Sequence, residues 1–561
     1  MCGIFAFINN TNFKMDSDTL FMETDSLLIQ QYYENFLKLK HRGPDFTTFN
    51  VFNNILIGFH RLAIMDLSFL SNQPYILKEN NRTIIFICNG EIYNYNELIL
   101  YYSLDINTKS DCLTIPKLYL KFNYETFIDL AIHRIKGEYS FILLELIDNK
   151  LEHVIVGRDS IGIRPLYYHP LNSSKSLIFA SEIKGMSSFE NNIEEFPPGF
   201  IKKFKLVKNE IDETKSIFEE ISSFCFNTIY TKNYSIMDNT VISDNFYLEN
   251  IKFSIYNSIK RRLDSDKPIV FLLSGGVDSS LVASISSRLL NKKIKTFCCG
   301  MKNGSDLKYA KKVADFIQSE HHEVIFDEEY ALSLIDDIIY TTETWDTTTI
   351  RASIGQYIVC SYISKNTDAK VVLVGEGPDE VCSSYLFNYY APNDVELDRC
   401  AKEYVSKIHY FDVKRVDRNI SKWSLEARVP LLDPEFINAY WHIPSNLRNP
   451  KTKGIEKWWL RKAFENENLL PDEVLWRKKE AFSDGISNIE KSWFQIIQEY
   501  IENKYNMKEE EYYKEKFIYY FGENRLNIIP HYWQPKWDKN GREITKYIDP
   551  SARILDIYNK L

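Results

Sequence analysis

Between Ile269 and Leu290 the chain spells out a strand, a glycine turn and a helix in succession, and this constrains the fold more than any other stretch. Ile269 to Leu273 is a continuous apolar run, as a strand buried on both faces reads. It stops at Ser274-Gly275-Gly276, and helical spacing follows to about Leu290. A second apolar run, Ile294 to Cys299, completes a βαβ unit, whose two strands run parallel. Leu307, Ala310, Ala314 and Ile317 then recur at helical spacing, Glu323 to Phe326 reads as a short strand, and Val371 to Val374 as another. Such alternation predicts an α/β domain with a doubly wound parallel sheet and ligands at the strand carboxyl ends. Beyond about Lys402 the chain reads as mostly helical, and the charged run Lys508 to Lys516 reads as a solvated helix face.

The first two hundred residues have another rhythm. Asn53 to Asp66, Arg82 to Tyr93, Phe141 to Leu146 and Leu151 to Val156 are short apolar runs bounded by Asn, Gly and Asp, so a β-rich domain is expected to about Lys205. Leu206 to Glu249 lacks a period and reads as a connecting segment. At 561 residues the chain exceeds one hydrophobic core. The expected division is 2–205, 206–249 and 250–561.

Composition excludes more than it identifies. A net charge of -9 repels phosphate backbones and anionic lipid, so nucleic acid is not an expected partner. The nine cysteines are odd in number and form no CxxC pair, which fits a reducing compartment rather than a disulfide framework or a zinc site. MCGIFAFINN has no basic region ahead of an apolar stretch, and no run approaches the roughly 18 apolar residues of a membrane helix. A soluble, cytoplasmic protein is expected.

Cys2 stands where removal of Met1 would give one residue both a thiol and a free α-amine. That amine, with an unperturbed pKa of about 7.7 to 8, can act as the general base, so no histidine partner is needed. A cysteine after the initiator is, alone, more often a chance small residue. Four further words accompany it: His41-Arg42-Gly43-Pro44-Asp45, Arg61 in HRLAIMD, Asn89-Gly90-Glu91-Ile92-Tyr93-Asn94, and Gly157-Arg158-Asp159 leading to Pro165-Leu166-Tyr167. In this order they resemble the class II, N-terminal-nucleophile glutamine amidotransferases. The resemblance implies an α+β domain, a β-sheet sandwich with helices, in which Cys2 attacks the glutamine amide. It also implies that the Asn89 side chain and the Gly90 N–H stabilise the resulting oxyanion. Arg61 with Leu62, Ala63, Ile64 and Met65 then resembles the α-carboxylate side of the glutamine pocket, and Glu91 and Asp111 the α-ammonium side. Arginines and aspartates of this kind are otherwise commonly surface ion pairs. His41 reads as structural rather than catalytic.

The Ser274-Gly-Gly-Val-Asp-Ser-Ser280 loop can cradle phosphate at a helix N-terminus, yet it lacks the GxxxxGK[ST] spacing of Walker A. It resembles the pyrophosphate loop of AMP-forming ATP pyrophosphatases, which implies that Ser274, Gly275, Gly276, Asp278, Ser279 and Ser280 hold pyrophosphate and that Asp278 helps to hold Mg²⁺. Later words supply the substrate: Asp346 to Ser353, Val374 to Glu380, Glu426 to Asp433, Arg477 to Gly485, Asp549 to Arg553 and HYWQPKW. They resemble, over nearly the whole chain, the animal-type asparagine synthetase family. The implied chemistry is glutamine-dependent: aspartate and ATP give β-aspartyl-AMP and pyrophosphate, and ammonia from glutamine yields asparagine. By the same resemblance Glu376 is a base near the intermediate, Lys479 the pyrophosphate lysine and Asp379 a second Mg²⁺ or pyrophosphate contact. Leu273, Cys299, Val374 and Gly375 contact the nucleotide, Thr348, Thr349, Arg351 and Arg428 line the aspartate or phosphate pocket, and the family implies a homodimer.

Family loops read SGEGSDE before a Gly-rich turn, whereas this chain has VGEGPDE before Val381-Cys382-Ser383-Ser384. Val374 removes a hydroxyl and Pro378 a backbone donor, together a loss of about 0.5 to 1.5 kcal/mol per hydrogen bond, which tunes an enzyme rather than silencing it. A β-lactam-forming relative does not need the Cys2 set, and a sugar or phosphoribosyl amidotransferase does not need SGGVDSS. A silent binding protein has no use for Cys2, Asp278, Glu376 and Lys479 together.

Overall fold

The alternation of the first strand sets the layering of the N-terminal half. In β1 (Gly3–Asn9), Ile4, Ala6 and Ile8 join one buried cluster while Phe5 and Phe7 join another. The computed structural model describes residues 1–10, 23–170, 175–189, 192–207, 216–226, 243–302, 304–478, 485 and 491–551. The chain divides into two units, Met1–Asn227 with Ser421–Leu425 and Phe521–Ile528, and Thr228–Ile420 with Glu426–Tyr520 and Ile529–Leu561.

Further strands of the first unit are β2 (Phe46–Phe52), β3 (Ile55–Arg61), β4 (Tyr75–Glu79), β5 (Arg82–Ile92), β6 (Gly137–Ile147) and β7 (Lys150–Arg158). They are followed by β8 (Tyr167–Tyr168), β9 (Ser176–Ala180), β10 (Glu194–Glu195), β11 (Phe200–Val207) and β12 (Ile217–Cys225). Two six-stranded sheets result, in the orders β10-β8-β9-β1-β3-β2 and β12-β11-β7-β6-β5-β4. Their inner faces meet across Ile4, Ile57, Ile87, Ile142 and Val156. Phe86, Cys88 and Phe141, on the opposite face of the second sheet, pack with Leu98, Leu118 and Phe127 of the helices Tyr95–Tyr102, Thr114–Lys121 and Tyr124–His133. Phe5 and Phe7 pack with Ile29, Tyr32 and Phe36 of the helix Glu23–Leu37. The unit is the expected helix-covered β-sandwich.

In the second unit β13 (Ile269–Leu272), β14 (Lys295–Gly300), β15 (Glu320–Ile325), β16 (Val371–Leu373) and β17 (Glu426–Arg428) form one sheet in the order β15-β14-β13-β16-β17. Every pairing is parallel. The chain leaves β13 toward β14 and returns later to place β16 on the other side, so the switch point lies between β13 and β16. Ligand crevices open at that place in doubly wound sheets.

Three expectations shift. The segment read as a connector contains β12, which pairs with β11 from Phe200↔Cys225 to Val207↔Ile217, and the helix Asp244–Arg261 begins before residue 250. In β12 only Phe218 is buried, so no apolar alternation marks the strand. The tripeptide Glu426-Ala427-Arg428 lies within the stretch expected to be helical, yet it forms the edge of the parallel sheet. Its two charges are buried as a pair, Arg428 Nε to Glu426 Oε1 at 2.9 Å, which hid the strand from a hydrophobicity pattern.

From Glu509 on, the run Lys508 to Lys516 lies on the helix Glu509–Phe521, but it is not wholly a solvated face. Glu509 is 3% exposed and is held by Arg351 Nε at 2.9 Å, with a second, short bond from Arg351 Nη2. Breaking such a buried pair from one side costs about 3 to 5 kcal/mol. Glu509→Ala is therefore expected to lower the thermal midpoint of the second unit by several degrees, read by scanning calorimetry, whereas exposed Glu515→Ala leaves it unmoved.

Candidate functional site

Cys2 immediately precedes β1, and the register Gly3↔His60 places it beside Arg61 at the end of β3. Its Sγ lies 4.0 Å from the Leu62 carbonyl, and Arg42 Nε donates to the Cys2 carbonyl at 3.0 Å. Arg42 is fully buried and paired with Glu182 at 2.5 Å. HRGPD is thus more than a turn: Arg42 holds the nucleophile's backbone, while Asp45 accepts from the Ala63 N–H at 2.9 Å and fixes the loop after β3. His41 bonds Lys38 O and Glu182, consistent with a structural place.

Asn89 lies near the end of β5 with 0% exposure, and neither Nδ2 nor Oδ1 has a hydrogen-bond partner. Leaving both amide atoms buried and unpaired costs about 1 to 3 kcal/mol, the signature of a group kept for a ligand. Gly90 follows it, and a Cβ there would lie 2.3 Å from the Glu138 carbonyl, so only glycine lets β5 approach β6 at this point.

Arg61 donates through Nη1 to Ser68 O and Asn72 Oδ1, both at 2.7 Å, and through Nη2 to Met65 O at 3.3 Å and, more closely, to Asp66 O. Four of its five N–H donors therefore shape the loop that carries Leu62, Ala63, Ile64 and Met65. Asp66, which the sequence reading passed over, accepts from the N–H groups of Ser68 and Lys109 at 3.0 and 2.8 Å, joining this loop to the one bearing Asp111. Burial alone would raise its pKa, but hydrogen bonds from Ser68 and Lys109 bring it to about 2. Asp111 is 4% exposed and accepts from Ile92 N–H at 2.5 Å, next to Glu91 at 7% exposure. Cys2 thus sits just before β1, Arg61 at the end of β3, Asn89, Gly90 and Glu91 near the end of β5, and Asp111 just ahead of the helix Thr114–Lys121.

In the second unit β13 runs into Leu273 and the turn Ser274–Gly276, and the helix Val277–Leu290 begins there. Gly275 adopts φ +74°, and a Cβ would lie 2.5 Å from Ala310 N, so glycine is needed both for the turn and for the helix behind it. Ser274 Oγ and Ser279 Oγ are 3.0 Å apart across the turn. A cavity at the switch point is walled on the β13 side by Leu273, Ser274, Gly276, Asp278 and Ser279, and on the β16 side by Gly375, Glu376 and Asp379. Cys299 at the end of β14 also lines it.

Gly275, Ser280 and Val374 border this wall in sequence without lining it. Thr348, Thr349, Arg351 and Arg428 do not line it either. Asp346 caps the helix Thr347–Asn366 by accepting from the Thr349 N–H at 2.8 Å, and Thr349 Oγ1 donates to the same oxygen at 2.7 Å. Arg351 is committed to Glu509 and Asp549, and Arg428 to Glu426 and the carbonyls of Arg262 and Asp264. Thr348 Oγ1 is buried without a hydrogen-bond partner. Lys479 lies outside the described residues, although its neighbours Arg477 and Lys478 line the cavity.

Among the cations that line the cavity, Lys457 lies against both carboxylates. Its Nζ is 2.5 Å from Asp278 Oδ2 and 2.6 Å from Asp379 Oδ1, so one ammonium bridges the two carboxylates expected to hold a metal. Burial would lower its pKa, but Asp278 and Asp379 raise it and keep it charged. Lys457 also holds φ +57°, a left-handed conformation that costs a non-glycine residue about 1 to 2 kcal/mol. Lysine is by default a solvated residue, and nothing in IEKWWLRKAF says otherwise.

Glu376 accepts from Gln356 Nε2 at 3.1 Å and faces Arg415 Nη1 at 3.4 Å. Burial pushes its pKa up, against the opposing charge of Arg415. Asp412 pairs with Arg415 at 3.1 Å, so Glu376, Gln356, Arg415 and Asp412 form one polar wall of the cavity. Of these, only Glu376 was marked by a motif.

The family described as Asparagine synthase matches residues 250–402 and 391–540, and that described as Glutamine amidotransferase domain matches residues 1–243. The chain is 36% identical over 594 residues to the asparagine synthetase [glutamine-hydrolyzing] of Bos taurus, covering 100% of this chain and 99% of that one. The Homo sapiens enzyme of the same description is 35% identical over 592 residues, and that of Gallus gallus 36% over 596, each with coverage of 100% and 99%.

Proposed function

This chain belongs to the glutamine-hydrolysing asparagine synthetase family, and we propose from its two sites how it carries out the family's reaction. It is an ATP-dependent carbon–nitrogen ligase that forms asparagine from aspartate, with glutamine as nitrogen donor. Excision of Met1 frees the α-amine of Cys2, which takes the thiol proton as Sγ attacks the glutamine amide carbon. Asn89 Nδ2 and the Gly90 N–H hold the oxyanion, and its collapse to a thioester expels ammonia, after which water releases glutamate. The glutamine carboxylate is a stronger acceptor than a carbonyl and draws Arg61 from its loop contacts, while Glu91 and Asp111 take the ammonium group.

At the second site the ATP phosphates lie along Ser274 to Ser279 at the helix N-terminus. The aspartate side-chain carboxylate attacks the α-phosphorus, giving β-aspartyl-AMP and pyrophosphate. Ammonia then displaces AMP from the acyl carbon, and Glu376, its pKa raised by burial, takes the proton that the amine must lose. Arg415 and Asp412 offer aspartate a cation for its α-carboxylate and an anion for its α-ammonium. Lys457 stabilises the charge growing on pyrophosphate, and Arg477 and Lys478 add positive charge nearby.

Two carboxylates and the nucleotide's own oxygens are the donor set that Mg²⁺ ordinarily takes, so Asp278 and Asp379 fit that ion. When bound it would neutralise phosphate charge. We also propose a cytoplasmic location, supported by nine cysteines that are all unpaired, and a homodimer that does not engage nucleic acid. No helix among the described residues is long and apolar enough to cross a membrane.

The observation that carries the synthetase reading is the cavity in which the phosphate turn, Glu376 and Asp379 meet Lys457. Purified chain given aspartate, glutamine, ATP and Mg²⁺ should release asparagine, AMP and pyrophosphate in equal amounts, by chromatography; release of ADP and orthophosphate instead would sink the reading.

A further inference from the structure

Residues 378 to 384 form a helix-ending turn whose geometry decides where Asp379 points. The short helix Pro378–Val381 closes with Ser384 N–H bonded to Asp379 O at 2.9 Å and Ser383 N–H bonded to Glu380 O at 3.3 Å. These are the two bonds of a Schellman motif, with Ser383 in its left-handed position at φ +54°. The motif folds the second residue beyond the cap over the third residue from the helix end, where an apolar pair commonly meets. Here that pair is a hydroxyl and a carboxylate: Ser384 Oγ donates to Asp379 Oδ1 at 2.5 Å.

Several features single this bond out. Ser384 is 0% exposed, so water does not compete for the hydroxyl. Lys457 Nζ reaches the same Oδ1 at 2.6 Å, so both contacts engage one oxygen. Pro378 supplies no N–H, and Val374 no hydroxyl, so this stretch holds its carboxylate from the far end of the turn. Ser383 and Ser384 are also where the chain departs from a glycine-rich turn.

We propose that Ser384 is a positioning residue for the synthetase reaction: through Oδ1 it fixes the Asp379 carboxylate in the orientation that receives the divalent cation of the ATP complex. Ser384 itself does not line the cavity. This rests on the reading of the cavity as the ATP site. Removing the hydroxyl frees the carboxylate to rotate, and a charge-assisted bond of this kind is worth about ten-fold in a binding constant.

The test is calorimetric titration of the full chain with ATP, once with Mg²⁺ and once with EDTA. Ser384→Ala is expected to bind ATP in EDTA as the wild type does, while the tightening brought by Mg²⁺ shrinks about ten-fold. In an Asp379→Ala background, Ser384→Ala should cause no further change. Undiminished Mg²⁺-dependent tightening in Ser384→Ala overturns the inference, as does equal weakening in EDTA and Mg²⁺, which marks a role in folding alone. A further loss in the Asp379→Ala background also overturns it, because the serine would then act elsewhere. Wild type that fails to bind ATP overturns the ATP site itself, a separate result.

Discussion

Cys2→Ala is expected to abolish glutamine-dependent asparagine formation while leaving synthesis from ammonium close to the wild-type rate. The thiolate is the group in the first unit assigned to covalent chemistry, and alanine offers no nucleophile in its place. Loss of a nucleophile costs a factor of about 10⁴ to 10⁶, below detection in an ordinary assay. The substitution should not unfold the unit, because Arg42 holds residue 2 by its carbonyl, which alanine keeps. The measurement is asparagine produced from glutamine and, separately, from ammonium chloride, with glutamate release as the glutaminase control. Retention of glutamate release by Cys2→Ala would remove Cys2 from the mechanism, and loss of the ammonium-dependent rate would show that the two chemistries are not separable.

What the sequence made legible follows from which physical signals are local. A strand buried on both faces must be apolar throughout, so β13 and β14 and the loop between them were readable within one or two residues. Likewise Cys2, Arg61, Asn89 and Asp111 sit in motif words, and they lie beside β1, on β3, on β5 and just ahead of the helix Thr114–Lys121. What stayed hidden depended on long-range pairing. Glu426-Ala427-Arg428 is a strand because Arg428 is neutralised by Glu426 and by carbonyls some 160 residues upstream, none of which leaves a periodic mark. The same reason conceals Arg351: its partner Glu509 is 158 residues away, so a motif that resembled a substrate pocket is instead tied to a distant helix. Asp412 and Arg415 reach the cavity only because the helix Asp412–Ser421 places them there.

Lys457 is the sharpest instance, and it yields the second large effect. Lys457→Ala is expected to lower both ammonium-dependent and glutamine-dependent synthesis by a factor of about 10² to 10³, the usual cost of one preorganised donor to developing charge. Glutamate release by the first unit should persist. Two causes add. Pyrophosphate loses its buried cation, and Asp278 and Asp379, 2.5 and 2.6 Å from Nζ, lose the charge that balances them. The second cause also predicts a direction for metal dependence: with the ammonium gone, the carboxylate pair should demand a divalent cation more strongly, so the residual activity should need less Mg²⁺ for half-saturation. Arginine should not rescue, since a guanidinium is too large to sit between two carboxylates at these distances from a backbone fixed at φ +57°. Lys479→Ala, measured alongside, separates the two candidates. If Lys457→Ala keeps near wild-type synthesis while Lys479→Ala loses it, the pyrophosphate contact belongs to Lys479 and the bridging lysine serves only to hold the cavity together.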